Sequence, residues 1–281
     1  MKVSVVTPSF NQGQFIQRTL ESVARQNGAE IEHVVFDGGS TDETVDMLKR
    51  FGKNLRWVSE KDNGQADAVN KGIDATDGGV IGWLNSDDIY YPNAIARVVA
   101  FFDSHPDVDV VYGMADHIDQ SDQAFEVYPT EPWDIARMRD ICIICQPAAF
   151  FRRRVVAQYG LLDEKLQYCM DYEFWLRLVK AGVRFAYLEE KLAGSRLYAA
   201  NKTLGSRLKV HAEINDMQRS LFGSVPDRWI WNYAHAAIDN HIDRRKSPRW
   251  FAVRLRIAAA MAAWRWNGRL SPAMKVEIFG R

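Results

Sequence analysis

The sequence predicts an α/β fold, an αβα sandwich on a mostly parallel central sheet with a helical C-terminal extension. Three observations carry this. Apolar runs of strand length alternate with helical patterns up to about residue 190. Four of those runs end directly in polar clusters, and only helical patterns remain from about residue 201 onward. The expected division is a catalytic α/β domain over residues 1–200 and a helical extension over residues 201–281, carrying a basic amphipathic helix.

Residues 3–7 read as the first strand, and residues 13–26 as a helix with Ile16, Leu20 and Val23 on one face. Residues 32–36 form the next strand. Ser40-Thr41-Asp42-Glu43 then reads as a capping box opening a helix with Val45 and Leu48 inward. A short strand at residues 56–59 precedes a helix at 66–73 along Ala66, Val69 and Ile73. Residues 80–84 are an unbroken apolar run, as a parallel strand buried on both faces requires. A helix from Pro92 to Asp103 turns Ile95, Val98 and Phe102 inward, with the proline suited to its first turn. Residues 108–112, 148–151 and 184–188 are further strands, and residues 171–181 a helix ended by Gly182.

At 281 residues the chain can bury a sizeable core. Lys plus Arg equals Asp plus Glu at 36 each, so net charge points to neither a nucleic-acid binder nor an acidic tail. The distribution is uneven, with eight basic and no acidic residues between positions 244 and 269. Three cysteines, Cys142, Cys145 and Cys169, are too few for a disulfide scaffold. The CxxC spacing of Cys142 and Cys145 lacks a partnering ligand pair, so buried thiols are the reading preferred over zinc or redox chemistry. No segment reaches the roughly 18 apolar residues of a membrane span, and the N-terminus breaks before a signal-peptide core is complete. A soluble or peripheral protein in a reducing, cytoplasmic compartment is expected, peripheral at the inner face of the membrane if it meets lipid.

The polar clusters are Pro8-Ser9-Phe10-Asn11, Asp37-Gly38-Gly39-Ser40, Glu60-Lys61-Asp62-Asn63-Gly64 and Asn85-Ser86-Asp87-Asp88. In a parallel sheet all four lie along one edge, where α/β proteins bind ligands. Asp37 could accept the ring N–H of uracil or thymine, or the paired donors of guanine; an Asx turn is the alternative. Asp87 and Asp88 offer hard oxygen ligands for a divalent cation, with Asp88 alternatively shaping the turn before the next helix. Asp171 reads either as a helix N-cap or as a base that takes a proton from an attacking hydroxyl.

Together these segments resemble the family 2 glycosyltransferases, inverting enzymes of the GT-A fold that use nucleotide-sugar donors. The matching stretches are residues 3–26, 37–44 (DGGSTDET), 60–72 (EKDNGQADAVNKG), 82–92 (GWLNSDDIYYP) and 146–178. The resemblance implies that Pro8, Ser9, Asn11 and Asp37 line the donor pocket with Asp62 nearby. Asn85-Ser86-Asp87 stands where the family carries its DxD motif, with asparagine in place of the first aspartate. It implies Mg²⁺ or Mn²⁺ on Asp87, with Asp88 beside it, and Asp171 as the base. Arg196 and Tyr198 lie where the family places polar residues near the cleft. The implied donor is a nucleotide-diphosphate sugar, UDP-sugar favoured. The implied acceptor is a saccharide or lipid-linked hydroxyl in bacterial surface polysaccharide or glycolipid assembly.

Two rivals are a sugar-nucleotide nucleotidyltransferase and a non-catalytic sugar-binding module. The first would carry a basic, Gly-rich phosphate loop after the first strand, where this chain has Pro8-Ser9-Phe10-Asn11-Gln12-Gly13. In the C-terminal segment Trp250, Val253, Ile257, Met261 and Trp264 form one apolar stripe at helical spacing. Arg249 and Arg256 flank one side of it, Arg254 and Arg265 the other. That pattern suits an anionic membrane surface, or packing on protein, including a homodimer partner; no nucleic-acid recognition motif accompanies the charge.

Overall fold

The computed structural model describes residues 1–52, 55–198, 205–239 and 244–280. The chain divides into two compact units, one of Met1–Met138 with Cys142–Tyr198 and one of Arg139–Ile141 with Ala199–Arg281.

The first unit begins with β1 (Lys2–Ser9), α1 (Gly13–Ala24), β2 (Glu30–Asp37), α2 (Thr44–Phe51), β3 (Arg56–Ser59), α3 (Gln65–Asp74) and β4 (Val80–Trp83). It continues through β5 (Ile89–Tyr90), α4 (Ala94–Ser104), β6 (Val110–Ile118), β7 (Ala124–Val127) and α5 (Ile135–Asp140). A 3₁₀ turn at Gln146–Ala148 leads into β8 (Ala149–Arg152), α6 (Arg153–Tyr159), α7 (Met170–Lys180) and β9 (Phe185–Arg196). The sheet runs β3-β2-β1-β4-β8-β6-β9-β5, with β7 paired to β6. The β3-β2-β1-β4 half is parallel, as is β6 against β9; the other ladders are short and antiparallel.

Parallel strands need crossovers that cover both faces, which is why β1 and β4 are buried almost throughout. On one face Val3 and Val5 pack with Ile95, Val98 and Phe102 of α4, while Ile16 and Leu20 of α1 meet Val35 and Leu48. On the other face α3 approaches β1 closely enough that a Cβ on Gly72 would overlap Val6 Cγ1. The expected αβα layering is therefore present.

Several local expectations are corrected. The helix expected from Pro92 starts at Ala94, because Asn93 adopts a left-handed conformation (φ 65°). The capping box does not form: Ser40 turns its hydroxyl to Asp37, and α2 begins only at Thr44. The last strand, expected at residues 184–188, extends to Arg196. Its middle residues Glu189–Lys191 are exposed and charged, which hid the continuation. Asp171 is not the N-cap of its helix; Cys169 holds that position and Asp171 sits within the first turn.

The second unit contains α8 (Arg207–Phe222), α9 (Asp227–Asp239), α10 (Pro248–Asn267) and α11 (Pro272–Phe279), in line with the helical pattern of the sequence. Trp266 of α10 is fixed among them by an edge contact with Tyr233 and a 2.7 Å hydrogen bond to Asp216. No described helix is long and apolar enough to cross a membrane.

Candidate active site

The register of the parallel half brings the strand-end clusters to one edge: Ser9 lies opposite Asp37, and Asp37 opposite Ser59. Asp37 is buried, and four donors hold its carboxylate. Gly39 N (3.2 Å), Ser40 N (2.9 Å) and Ser59 Oγ (2.6 Å) reach Oδ2, and Ser40 Oγ (2.5 Å) reaches Oδ1. The Asx turn is thus real, but it spends one oxygen much more heavily than the other. Asn11, in the left-handed region at φ 52°, ties the end of β1 to this turn. Its N–H donates to Ser40 Oγ and its Oδ1 accepts from Thr41 N. Gly38 N donates to the carbonyl of Ser9, whose own buried hydroxyl has no partner among the described residues. Asp62 stands against Gly38, where an added Cβ would lie 2.8 Å from its carboxylate; burial raises its pKa. Pro8 continues β1 beside Phe36.

Beyond β4 the chain turns through Asn85–Asp88, and the four residues have distinct tasks. Asn85 uses its whole amide. Its Oδ1 accepts from Gln65 Nε2 (2.8 Å) and Trp83 Nε1 (2.9 Å), while its Nδ2 donates to Gln146 Oε1 (2.9 Å) and Asp88 Oδ2 (3.2 Å). Gln146 completes the clasp by donating to the carbonyl of Trp83 at 2.5 Å. Ser86 is buried and contributes its carbonyl, which with that of Asp88 accepts from Thr19 Oγ1 of α1. Asp88 is buried and held at both oxygens, by Arg196 N (2.8 Å) and by Asn85. Asp87 is more open and, among the described residues, receives one side-chain donor, Tyr198 Oη, at 3.2 Å.

Burial raises the pKa of both adjacent carboxyls, Asp88 further because Asp87 is beside it. The charge of Arg196 opposes this rise in both, while its guanidinium reaches Asp87 O (2.6 Å), Asp119 O and Asp122 Oδ1 over the ring of Phe15. Two adjacent carboxyls whose pKa values stay raised despite Arg196 suit a divalent cation, and Asp87 has an oxygen to offer it. Among the described residues no group of three or more Asp, Glu, His or Cys side chains is arranged to hold a metal. A cation at Asp87 would take its other ligands from the bound diphosphate and water. Burial pushes the Tyr198 hydroxyl up to about 12, so it stays a donor to Asp87; it accepts in turn from Gln12 Nε2 (3.2 Å). The Gln12–Tyr198–Asp87 chain joins the Asn11 loop to the acidic turn.

Asp171 lies in the first turn of α7, its pKa raised to about 6 by burial against the opposing pull of nearby backbone N–H groups. The buried Cys145 thiol is pushed up by burial and by the charges of Asp88 and Asp171, so these carboxyls are electrostatic neighbours of one side chain. No disulfide links the cysteines among the described residues, and burial likewise raises Cys142, which leaves the Cys142 and Cys145 thiols inert packing. The residues sequence reasoning missed are Thr19, Gln65 and Gln146. Their only signal is a polar residue at a buried or half-buried position in a pattern that otherwise reads as packing.

Comparison with known proteins identifies the family and the fold. The sequence model of glycosyl transferase family 2 matches residues 4–160. A PGL/p-HBAD biosynthesis glycosyltransferase of Mycobacterium bovis is 32% identical over 179 residues, covering 62% of this chain and 68% of that protein. An uncharacterized glycosyltransferase of Rickettsia prowazekii is 28% identical over 214 residues, covering 72% of this chain and 65% of that one. The chain thus spans just under two thirds of that relative. Among solved structures, S. aureus TarS 1–349 in complex with UDP-GlcNAc superposes with a TM-score of 0.67 at 16% identity, over 99% of this chain and 87% of that one. The mannosyltransferase PcManGT from Pyrobaculum calidifontis, in complex with GDP-Man and Mn²⁺, gives 0.60 at 17% identity, over 98% and 77%. The fold is that of the GT-A glycosyltransferases, and the chain belongs to glycosyl transferase family 2.

Proposed function

We propose that the protein is an inverting glycosyltransferase that moves a sugar from a UDP-sugar to a hydroxyl of a saccharide or lipid-linked acceptor in bacterial surface polysaccharide or glycolipid assembly. The observation that carries the reading is Asp171, a carboxyl raised to about 6 at the start of α7. It is ionised at neutral pH yet basic enough to take a proton. Asp171 would deprotonate the acceptor hydroxyl as its oxygen attacks the anomeric carbon. The bond to the diphosphate breaks on the opposite face, its electron pair leaving with the phosphate oxygen, so the centre inverts. A bound Mg²⁺ or Mn²⁺ would stabilise the charge on the departing diphosphate. Asp87 would hold that ion, and Asp88, Asn85 and Ser86 would fix the turn that presents it.

Donor preference follows from the arithmetic at Asp37. A carboxylate has about four acceptor positions. Three donors share the two positions of Oδ2 and one takes a position of Oδ1, which leaves one position on Oδ1 for a base. One ring N–H, as in uracil, fits that remainder better than the two parallel donors of guanine. The unspent Ser9 hydroxyl and the nearby Asn11 and Asp62 would complete the pocket with Pro8. The basic phosphate loop of a nucleotidyltransferase has no counterpart between Ser9 and Gly13.

The test is donor turnover and transfer over a panel of UDP-, dTDP- and GDP-sugars with and without Mn²⁺, on the native protein and Asp171→Asn. Turnover of a UDP-sugar that needs the cation, and is lost in the variant while nucleotide binding persists, is expected. Binding without turnover of any donor would instead mark a sugar-binding module. Equal loss of binding and turnover in the variant would reduce Asp171 to a structural residue.

A further inference from the structure

Among the described residues, nothing covers the apolar stripe of α10. Trp250, Val253, Ile257, Met261 and Trp264 are between 45% and 69% exposed. The opposite side of the same helix, Phe251, Ala259, Ala262, Ala263 and Trp266, is the one buried among the neighbouring helices. A helix apolar on two opposite sides is normally enclosed on both. Here the open side runs about 21 Å, at 1.5 Å per residue, and fills an arc of about 80°. A tryptophan stands at each end, and Arg249, Arg254, Arg256 and Arg265 border it on both flanks, all exposed. Arg265 also covers the ring of Trp266 at 4.4 Å, whereas Arg249, Arg254 and Arg256 form no ion pair among the described residues.

We propose that this face of α10 docks on an anionic lipid bilayer, lying in the interface with its apolar stripe among the upper acyl chains. Charge decides between this occupant and a second copy of the chain. An isologous dimer would set the stripe against itself and bring its arginine borders together. No acidic residue lies between positions 244 and 269 to relieve that repulsion. A surface of anionic headgroups meets the same borders with opposite charge on both sides. The arginine stems can lie along the apolar boundary with their guanidinium groups at phosphate level, and indole rings favour the same depth. The inference extends the proposed function, since it would hold the protein where a lipid-linked acceptor is presented. It does not depend on which donor is used.

The experiment is vesicle co-sedimentation of the full chain without any nucleotide sugar, so that its outcome is independent of the transfer assay. Mixed phosphatidylglycerol/phosphatidylcholine vesicles are compared with pure phosphatidylcholine at low and high salt. The variants are Trp250→Ser/Met261→Ser and, separately, Arg249→Glu/Arg256→Glu. All four positions are exposed, and a thermal melt matched to the native protein verifies folding. Binding to the anionic vesicles, weakened by salt and reduced at least about tenfold by each variant, is expected. Absence of binding at low salt, or equal binding by the native protein and both variants, overturns the proposal. So does a native dimer that the stripe variant turns into monomer at unchanged vesicle partition, which would assign the face to a second copy.

Discussion

The backbone N–H of Arg196 donates to Asp88 Oδ1 at 2.8 Å, and the same residue's guanidinium reaches the carbonyl of Asp87 at 2.6 Å. The final residue of β9 thus grips both members of the acidic turn, one through its main chain and one through its side chain. Neither contact uses the Asp87 carboxylate, which stays available at the sheet edge. Rigidity of the turn and availability of the Asp87 carboxylate come from the same residue.

Arg196→Met is therefore expected to cost on the order of 3 kcal/mol of stability. It leaves the Asp87 carbonyl without that donor at a fully buried position, and takes one donor each from the Asp119 carbonyl, which keeps Asp122 N, and the Asp122 carboxylate, which keeps Arg18. Arg196→Lys should lose part of that, because an ammonium cannot reach three divergent acceptors as the planar guanidinium does. Chemical denaturation of both variants checks the order. Equal stability of the methionine variant and the native protein would remove the clamp.

Asp87 and Asp88 should separate by readout. Asp88→Asn puts an amide NH₂ where Arg196 N or Asn85 Nδ2 already donates, so about 1–3 kcal/mol of stability is expected to be lost. Asp87→Asn removes a carboxylate with one side-chain donor and should leave the melting temperature nearly unchanged while abolishing Mn²⁺-dependent tightening of UDP binding. Thermal melts with and without UDP and Mn²⁺ distinguish the two. The reverse pattern would exchange their roles.

The parts of this fold legible in the sequence are those whose burial is continuous. Residues 3–7 and 80–84 read as strands because both faces are covered, whereas β7 is four exposed residues whose Phe125-Glu126-Val127 alternation is too short to mark a strand. The candidate site was legible as a cluster where polar residues and strand ends coincide, as at Asp37, Asp87 and Asp88, which the register brings to one edge. It was illegible where a polar residue acts through long-range partners. Asn85 reads in sequence as a departure from an acidic motif. In the structure it donates to Asp88 and Gln146 while accepting from Gln65 and Trp83, which no carboxylate could do. Gln146 and Thr19 carry no local mark of these contacts, because their partners lie far away along the chain.

The pH dependence of transfer is expected to follow Asp171. Its pKa is raised to about 6, so the proposed base is ionised above that value, and kcat/KM should climb as pH rises through about 6 and then level off. Stability moves the other way. The folded state holds this proton more tightly than the unfolded chain, so Asp171 costs stability progressively as pH rises from about 4 to about 6. Asp171→Asn should accordingly be inactive yet more stable above pH 6, on the order of 1 kcal/mol after allowing for its partial exposure. Unfolding curves at pH 5 and pH 7.5 check the sign. A variant less stable than the native protein at the higher pH would mean the carboxylate is held by favourable contacts instead.

The distance between α3 and β1 governs the site from a position remote from its chemistry. Gly72 lets the helix settle on β1, and a Cβ there would overlap Val6 Cγ1. Gly72→Ala gains about 1 kcal/mol in helix propensity but overpacks a buried contact at about 1–3 kcal/mol, so a small net destabilisation is expected. If overlap is the cause, adding Val6→Ala should recover at least about 1 kcal/mol relative to the sum of the single variants. Because α3 carries Gln65, whose amide holds Asn85 at 2.8 Å, lifting the helix should also loosen the acidic turn and weaken UDP binding. Denaturation and UDP titration of the two single variants and the double variant test both arms. Additive stabilities would show that the close approach is not what glycine serves, and unchanged UDP affinity in Gly72→Ala would uncouple α3 from the turn.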